Sequence, residues 1–135
     1  MSSISDSYRT AQFSTQWLQP DTVVIRVTGE IDAANSREFI DYALRLSGQV
    51  HRLILDLSGI EFFGTAGFSA LHALNARCVG ARIEWALTPS AGVARVLQLC
   101  DPDWDLPMYA SVDEALSAVR GQTSPPLLQL VPKSR

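Results

Sequence analysis

The sequence predicts an α/β fold, a mixed sheet opened by an N-terminal hairpin with helices packed on it, and three observations carry that reading. Two strand-like runs, Gln12–Leu18 and Val23–Val27, are separated by a Pro20-Asp21 turn, which makes a hairpin. The apolar positions Phe39, Ala43 and Leu46 then recur at helical spacing, and strand-like and helix-like stretches alternate from there onward. Leu53-Ile54-Leu55-Asp56-Leu57 is mostly apolar rather than alternating, the pattern of a strand covered on both faces. Such an alternation implies parallel strands joined by right-handed crossovers.

Each element has its own local warrant. Residues 1–9 are polar and Ser-rich and read as a loose leader. After the β-branched run Val23–Val27, the stretch Gly29-Glu30-Ile31-Asp32 leads to the first helix, whose face adds Ile40 and Leu44 and which Gly48 stops. From Thr65, the residues Gly67, Leu71, Leu74 and Cys78 fall at intervals that define one buried helix face, ended by Gly80. Arg82–Leu87 reads as the next strand. Thr88-Pro89 offers a cap followed by proline at the first helical position, with Val93, Leu97 and Cys100 on the helix face. Asp101–Pro107 is a turn-rich link to a short segment at Met108-Tyr109. Ser111-Val112-Asp113-Glu114 has the form of a capping box, followed by the apolar face Val112, Ala115, Leu116 and Val119. The remainder, residues 121–135 with Pro125, Pro126 and Pro132, reads as an extended tail, which leaves about residues 10–120 as one domain.

Composition narrows the functional classes. A hydrophobic fraction of 47% and a charged fraction of 19% in 135 residues describe a globular chain able to bury one core without disulfides or a structural metal. A net charge of -3 with scattered Lys and Arg gives no electrostatic reason to expect nucleic acid. No run of 18 apolar residues exists to insert in a membrane, and Met1–Thr10 lacks the basic start and apolar middle of a secretory signal, so a cytoplasmic location is expected. Cys78 and Cys100 form no C-x-x-C and read as small buried hydrophobes, while His51 and His72 are isolated. No nucleotide-binding glycine motif occurs, and no cofactor or metal is expected.

The turn Gly64-Thr65-Ala66-Gly67 places very small side chains between a buried strand and a helix, where the first backbone N–H groups have no intrahelical acceptor. Those donors and the helix dipole favour an anion. Thr65 reads either as a plain helix cap or as an exposed hydroxyl at a docking corner, and Gly67, on the inward stripe, implies close contact with the sheet. Of Phe62 and Phe63, one at the interface and both in the core are open alternatives.

Gly29-Glu30-Ile31-Asp32 after a strand, followed by Leu55-Asp56-Leu57-Ser58-Gly59-Ile60-Glu61-Phe62-Phe63-Gly64-Thr65-Ala66-Gly67, resembles the STAS domain family of anti-sigma-factor antagonists. The resemblance covers about residues 10–120. It implies a mixed sheet of four to five strands with an N-terminal hairpin, backed by about four α-helices. It also implies an anti-sigma factor as partner, of serine/threonine kinase type, whose capture releases a sigma factor. Thr65 falls on the phosphoacceptor position of that family, and Asp32 on the acidic loop residue beside it. The implied docking surface comprises Asp32, Phe62, Gly64, Thr65, Ala66 and Phe68. Switching members commonly read Asp-Ser-Ser-Gly, so this chain lacks the carboxylate before the acceptor and the hydroxyl after it. Two other functions are open to the same residues. One is a non-phosphorylated docking subunit of a lipid-transport ATPase or other regulatory complex, which the resemblance also implies. The other is a hydrolase using Thr65 with a histidine and Asp32, against which the absence of G-x-S-x-G counts; no enzymatic activity is expected.

Overall fold

The apolar runs assemble into a four-stranded sheet ordered β1-β2-β3-β4. Strand β1 (Ala11–Leu18) is antiparallel to β2 (Thr22–Ile31), whereas β2, β3 (Arg52–Phe63) and β4 (Glu84–Pro89) run parallel. Helices α1 (Ser36–Leu44), α2 (Thr65–Ala81), α3 (Ala91–Cys100) and α4 (Val112–Val119) complete the expected α/β architecture. This computed structural model describes residues 11–18, 21–103 and 106–121. The expected leader, Pro20 of the hairpin turn, part of the link after Asp101 and the expected tail from residue 122 lie outside the described residues.

Period-two alternation divides the sheet into two apolar faces. One face carries Val23, Ile25 and Val27, Leu53, Leu55 and Leu57, and Trp85 and Leu87, and is covered by α1, α2 and α3 through residues such as Phe39, Leu71, Leu74 and Val93. The other carries Val24, Ile54 and Ala86 and is covered by Ala115 and Val119 of α4. Strand β3 is therefore apolar on both sides, as its composition predicts. Each such fully buried aliphatic side chain contributes on the order of 1.5–3 kcal/mol of transfer free energy. The fifth strand is reduced to one parallel bridge, Leu87 to Met108, with the Leu87 amide donating to Pro107 and the Tyr109 amide to Leu87, both at 2.9 Å.

Both central strands run further than their apolar runs suggest. β2 continues past the expected end at Val27 through Gly29, Glu30 and Ile31, and β3 continues through Ser58-Gly59-Ile60-Glu61-Phe62-Phe63. The extension of β3 is disguised because its register against β2 slips twice, between Arg26/Thr28 and between Gly29/Glu30. Each slip places an extra residue in β3, so its inward positions change from every second residue to Leu57, Ile60 and Phe63. Gly59 permits the first slip, since a Cβ there would stand 2.8 Å from the Thr28 methyl group. Gly29 takes the second at φ 95°.

Asp56 anchors the first slip from the α4 side of the sheet. Its carboxylate accepts from the Ser58 hydroxyl at 2.7 Å, the Ser58 amide at 3.1 Å and Arg26 Nε at 2.9 Å. Burial pushes this carboxyl up, but the bonds from Ser58 and Arg26 outweigh burial and hold it below the ordinary carboxylate range.

Three helix boundaries differ from expectation. α1 ends at Leu44, ahead of Gly48, and a turn carries the half-buried Leu46 onto the core. α2 passes through Gly80 to Ala81 and is closed by Arg82 in the left-handed conformation, φ 60°, whose amide bonds back to Cys78 and Val79. Thr88 and Pro89 belong to β4 rather than to a helix start; Ser90 is the cap of α3, its hydroxyl accepting from the Val93 amide at 3.2 Å. The capping serine of α4 is as expected, Ser111 Oγ accepting from the Glu114 amide at 3.1 Å.

Candidate functional site

Because β2, β3 and β4 are parallel and are followed by α1, α2 and α3, three helices start at one edge of the sheet. In open α/β sheets this carboxyl edge is where ligands and partners are commonly met. Ile31 and Phe63 are the last register partners of β2 and β3, so Asp32 and Gly64 leave the sheet side by side. The Gly64 amide donates to the Ile31 carbonyl at 3.0 Å, tying the two loops together.

Gly64, in extended conformation, is the N-cap of α2, and Thr65 is its first helical residue rather than the cap. The Gly64 carbonyl accepts from the amides of Gly67 at 2.9 Å and Phe68 at 3.3 Å. Among the described residues the amides of Thr65 and Ala66 have no acceptor, no side chain caps the helix, and its first turn holds no acidic residue. The positive end of the α2 dipole is therefore left open. Thr65 is exposed, and its hydroxyl makes no hydrogen bond to a described residue.

The paired phenylalanines divide between core and surface. Phe63 is 2% exposed and fills the space left by Gly67, whereas Phe62 is 52% exposed with its ring edge 3.3 Å from where a Gly64 Cβ would stand. Gly64 thus lets an exposed aromatic ring lie against the backbone one residue before Thr65. Ala66 is half-buried. Phe68 packs its ring against the core and, edge to face, against His72 at 4.8 Å, presenting less open surface than Phe62.

Asp32 lies on the neighbouring loop, with its carboxylate accepting from the Ala34 amide at 2.9 Å. That is an Asx turn, and it is what an Asp in a tight connection ordinarily does. The residue that fixes the loop is Asn35, which the sequence reading did not single out. It is wholly buried, accepts from the Asp32 amide through Oδ1 and donates through Nδ2 to the Glu30 carbonyl, both at 2.9 Å. An Asn four residues before Phe39 is an ordinary helix-start signal and says nothing of a loop brace.

The histidines do not join this corner. His51 precedes β3 at the opposite edge, where its Nδ1 lies 3.2 Å from Asp21, and His72 Nε2 lies 3.8 Å from Asp101 at the end of α3. The hydrolase combination of Thr65, a histidine and Asp32 is not assembled. Cys78 is buried as expected, and burial pushes its thiol up to about 11; Cys100, expected to be buried, is exposed, because it continues the Val93 and Leu97 stripe by spacing but is the last residue of α3. Among the described residues no group of three or more His, Cys, Asp or Glu is placed to hold a metal ion, and no helix is long and apolar enough to cross a membrane.

A mixed sheet with three helix starts at one edge, an uncapped second helix and an exposed aromatic beside it defines a small α/β domain with an open corner at its carboxyl edge. The STAS domain model matches residues 18–115, and the chain belongs to the STAS domain family. Osmosensory protein A of Mycobacterium tuberculosis is 37% identical over 97 residues, a stretch that covers 69% of this chain and 61% of that protein. The chain therefore spans less than two thirds of the length of that relative. Anti-sigma-F factor antagonist RsfA of the same species is 29% identical over 100 residues, covering 71% of this chain and 78% of RsfA. Among solved structures, an anti-sigma factor antagonist from Mycobacterium paratuberculosis matches with a TM-score of 0.72 at 25% identity, covering 82% of this chain and 94% of that one. The unphosphorylated form of the anti-sigma factor antagonist SpoIIAA shares the fold, with a TM-score of 0.68 at 23% identity over 84% of this chain and all of that one.

Proposed function

We propose that this protein is a non-catalytic anti-sigma factor antagonist, which binds an anti-sigma factor of serine/threonine kinase type through the carboxyl edge of its sheet and thereby releases a sigma factor. The observation that carries this reading is the open start of α2, where an exposed Thr65 hydroxyl and two amides without acceptors adjoin the exposed ring of Phe62. The relatives named as anti-sigma factor antagonists support the class of partner. Asp32, Phe62, Gly64, Thr65, Ala66 and Phe68 form the docking surface in this proposal.

Phosphorylation of Thr65 switches the complex off. It adds a charge of about -1.5 to -2 and three acceptor oxygens at the first turn of α2. The open amides and the dipole accept that charge within the domain, so the fold is kept. A partner packed over the same turn meets steric overlap and a desolvation cost instead. Gly64 and Ala66 supply neither a carboxylate nor a second hydroxyl, so the switch rests on Thr65 alone. The test is mass spectrometry of the protein recovered from its own cells together with the proteins that co-purify. An anti-sigma factor with the unmodified form, and its absence from a Thr65-phosphorylated form, are expected; co-purification with a transport ATPase and an unmodified Thr65 throughout would overturn the reading.

A further inference from the structure

Beside the Thr65 corner, α1 and α2 leave a groove of about 500 Å³ between them. Arg37, Ile40 and Asp41 line it from α1, and Ala66, Ala70, Ala73 and Arg77 from α2. Three of the five residues on its α2 wall are alanines and a fourth is Ser69, small side chains that let an incoming backbone approach closely. Arg77 follows Ala66 by eleven positions, so that wall runs about 16 Å, the length of roughly three helical turns.

The charges of the groove favour an acidic occupant. Arg37 and Arg77 are both exposed, and neither guanidinium has a hydrogen bond or ion pair with a described residue, although the chain as a whole carries a net charge of -3. The groove begins at the first turns of α1 and α2, Ser36 and Ala66; the start of α2 is uncapped and holds no acidic residue, so its dipole presents a positive end there, whereas the first turn of α1 carries Glu38. Asp41 is the one acidic residue of the lining. Two arginines at the walls and the α2 dipole at the mouth outweigh it.

We infer that the α1/α2 groove receives an acidic helical segment of the anti-sigma factor, its small or apolar ridge lying on Ala66 and Ala73 over the buried floor of Ala70 and its carboxylates reaching Arg37 and Arg77. This rests on the function proposed above and extends the contact from the Thr65 corner along α2. The corner carries the switch, and the groove supplies specificity that phosphorylation does not alter directly.

The experiment titrates purified kinase-type anti-sigma factors of the source organism against the full chain and its groove variants. The doubly substituted Arg37→Glu, Arg77→Glu protein is expected to lose at least about tenfold in affinity, with a weaker salt dependence, because reversed charges repel what the arginines attract. Arg37→Lys with Arg77→Lys keeps the charge and is expected to stay within about threefold of the parent. Asp41→Asn is expected to tighten binding, an effect that loss of structure would not produce. A benzophenone amino acid at position 73 is expected to cross-link to an acidic peptide of the anti-sigma factor, while the same probe at Val79, exposed elsewhere on α2, is not. Binding by the parent chain with unchanged affinity in the Glu and Asn variants overturns the groove alone. A cross-link at position 73 to a second copy of this chain also overturns it. If the parent chain binds no anti-sigma factor, the proposed function and the groove fall together.

Discussion

A Cβ on Gly67 would stand 2.6 Å from Cε1 of Phe63, so the inward ring at the end of β3 and the first turn of α2 occupy one space. The buried Phe63 ring seats the helix start, and through it the position of Thr65. Gly67→Ala gains about 1 kcal/mol of helix propensity. The same change overpacks a core site, which costs about 1–3 kcal/mol. A net loss of about 1 kcal/mol in denaturant unfolding is expected, and combining it with Phe63→Leu should recover part of that loss, a coupling that separates a shared space from two independent defects.

Asp56 accepts bonds from Arg26 and Ser58 while only 6% of its side chain is exposed. Asp56→Asn is expected to cost about 2 kcal/mol near neutral pH, the scale of hydrogen bonds to a charged group. The sign with pH follows from its lowered native pKa: the unfolded chain, with an ordinary value near 3.8, takes up the proton first. The stabilisation is therefore present above that value and lost as pH falls through the native one. Acid titration of the unfolding midpoint should fall more steeply for the parent chain than for Asp56→Asn.

The two thiols should differ sharply. Cys100 is exposed and is expected to react with a disulfide reagent in the native protein, whereas Cys78, buried with its thiol raised to about 11, reacts only after unfolding. Because the unfolded Cys78 ionises nearer 9.0, its contribution to stability is complete below that pH and declines as pH rises through about 11. Thiol counts in native buffer and in denaturant, with the unfolding midpoint followed above pH 9, check both statements.

Phe62 is expected to matter to the partner and little to the fold. An exposed aromatic at the centre of a docking surface is the kind of residue whose truncation costs about 2 kcal/mol of binding. Phe62→Ala should reduce affinity for the anti-sigma factor by about thirtyfold while changing unfolding by less than about 0.5 kcal/mol, as exposed substitutions usually do. Surface titration and thermal unfolding of the same preparation separate the two.

What could be read without coordinates follows the physics of each signal. Periodicity located the core of every element, since Leu53–Leu57, Leu71, Leu74, Val93 and Val119 announce their faces directly. Strand ends were less legible, because the bulges of β3 replace a period of two with a period of three and so resemble a loop. Helix starts depended on which hydroxyl or glycine reached the cap: Ser111 did, but Gly64 and Ser90 took places that Thr65 and Thr88 had suggested. Asn35 was invisible because its role is set by carbonyl and amide partners on the loop, not by any pattern of side chains. The groove between α1 and α2 was equally out of reach, since it depends on how two helices separated by β3 pack together.

The central claim is that the exposed Thr65 corner docks the anti-sigma factor and that charge there dissolves the complex. Titration of one purified kinase-type anti-sigma factor with the parent chain and with Thr65→Glu, alongside their thermal unfolding, tests it most directly. The account predicts an affinity lowered more than a hundredfold, about 3 kcal/mol, with an unchanged unfolding temperature. Equal affinity of the two proteins would contradict it.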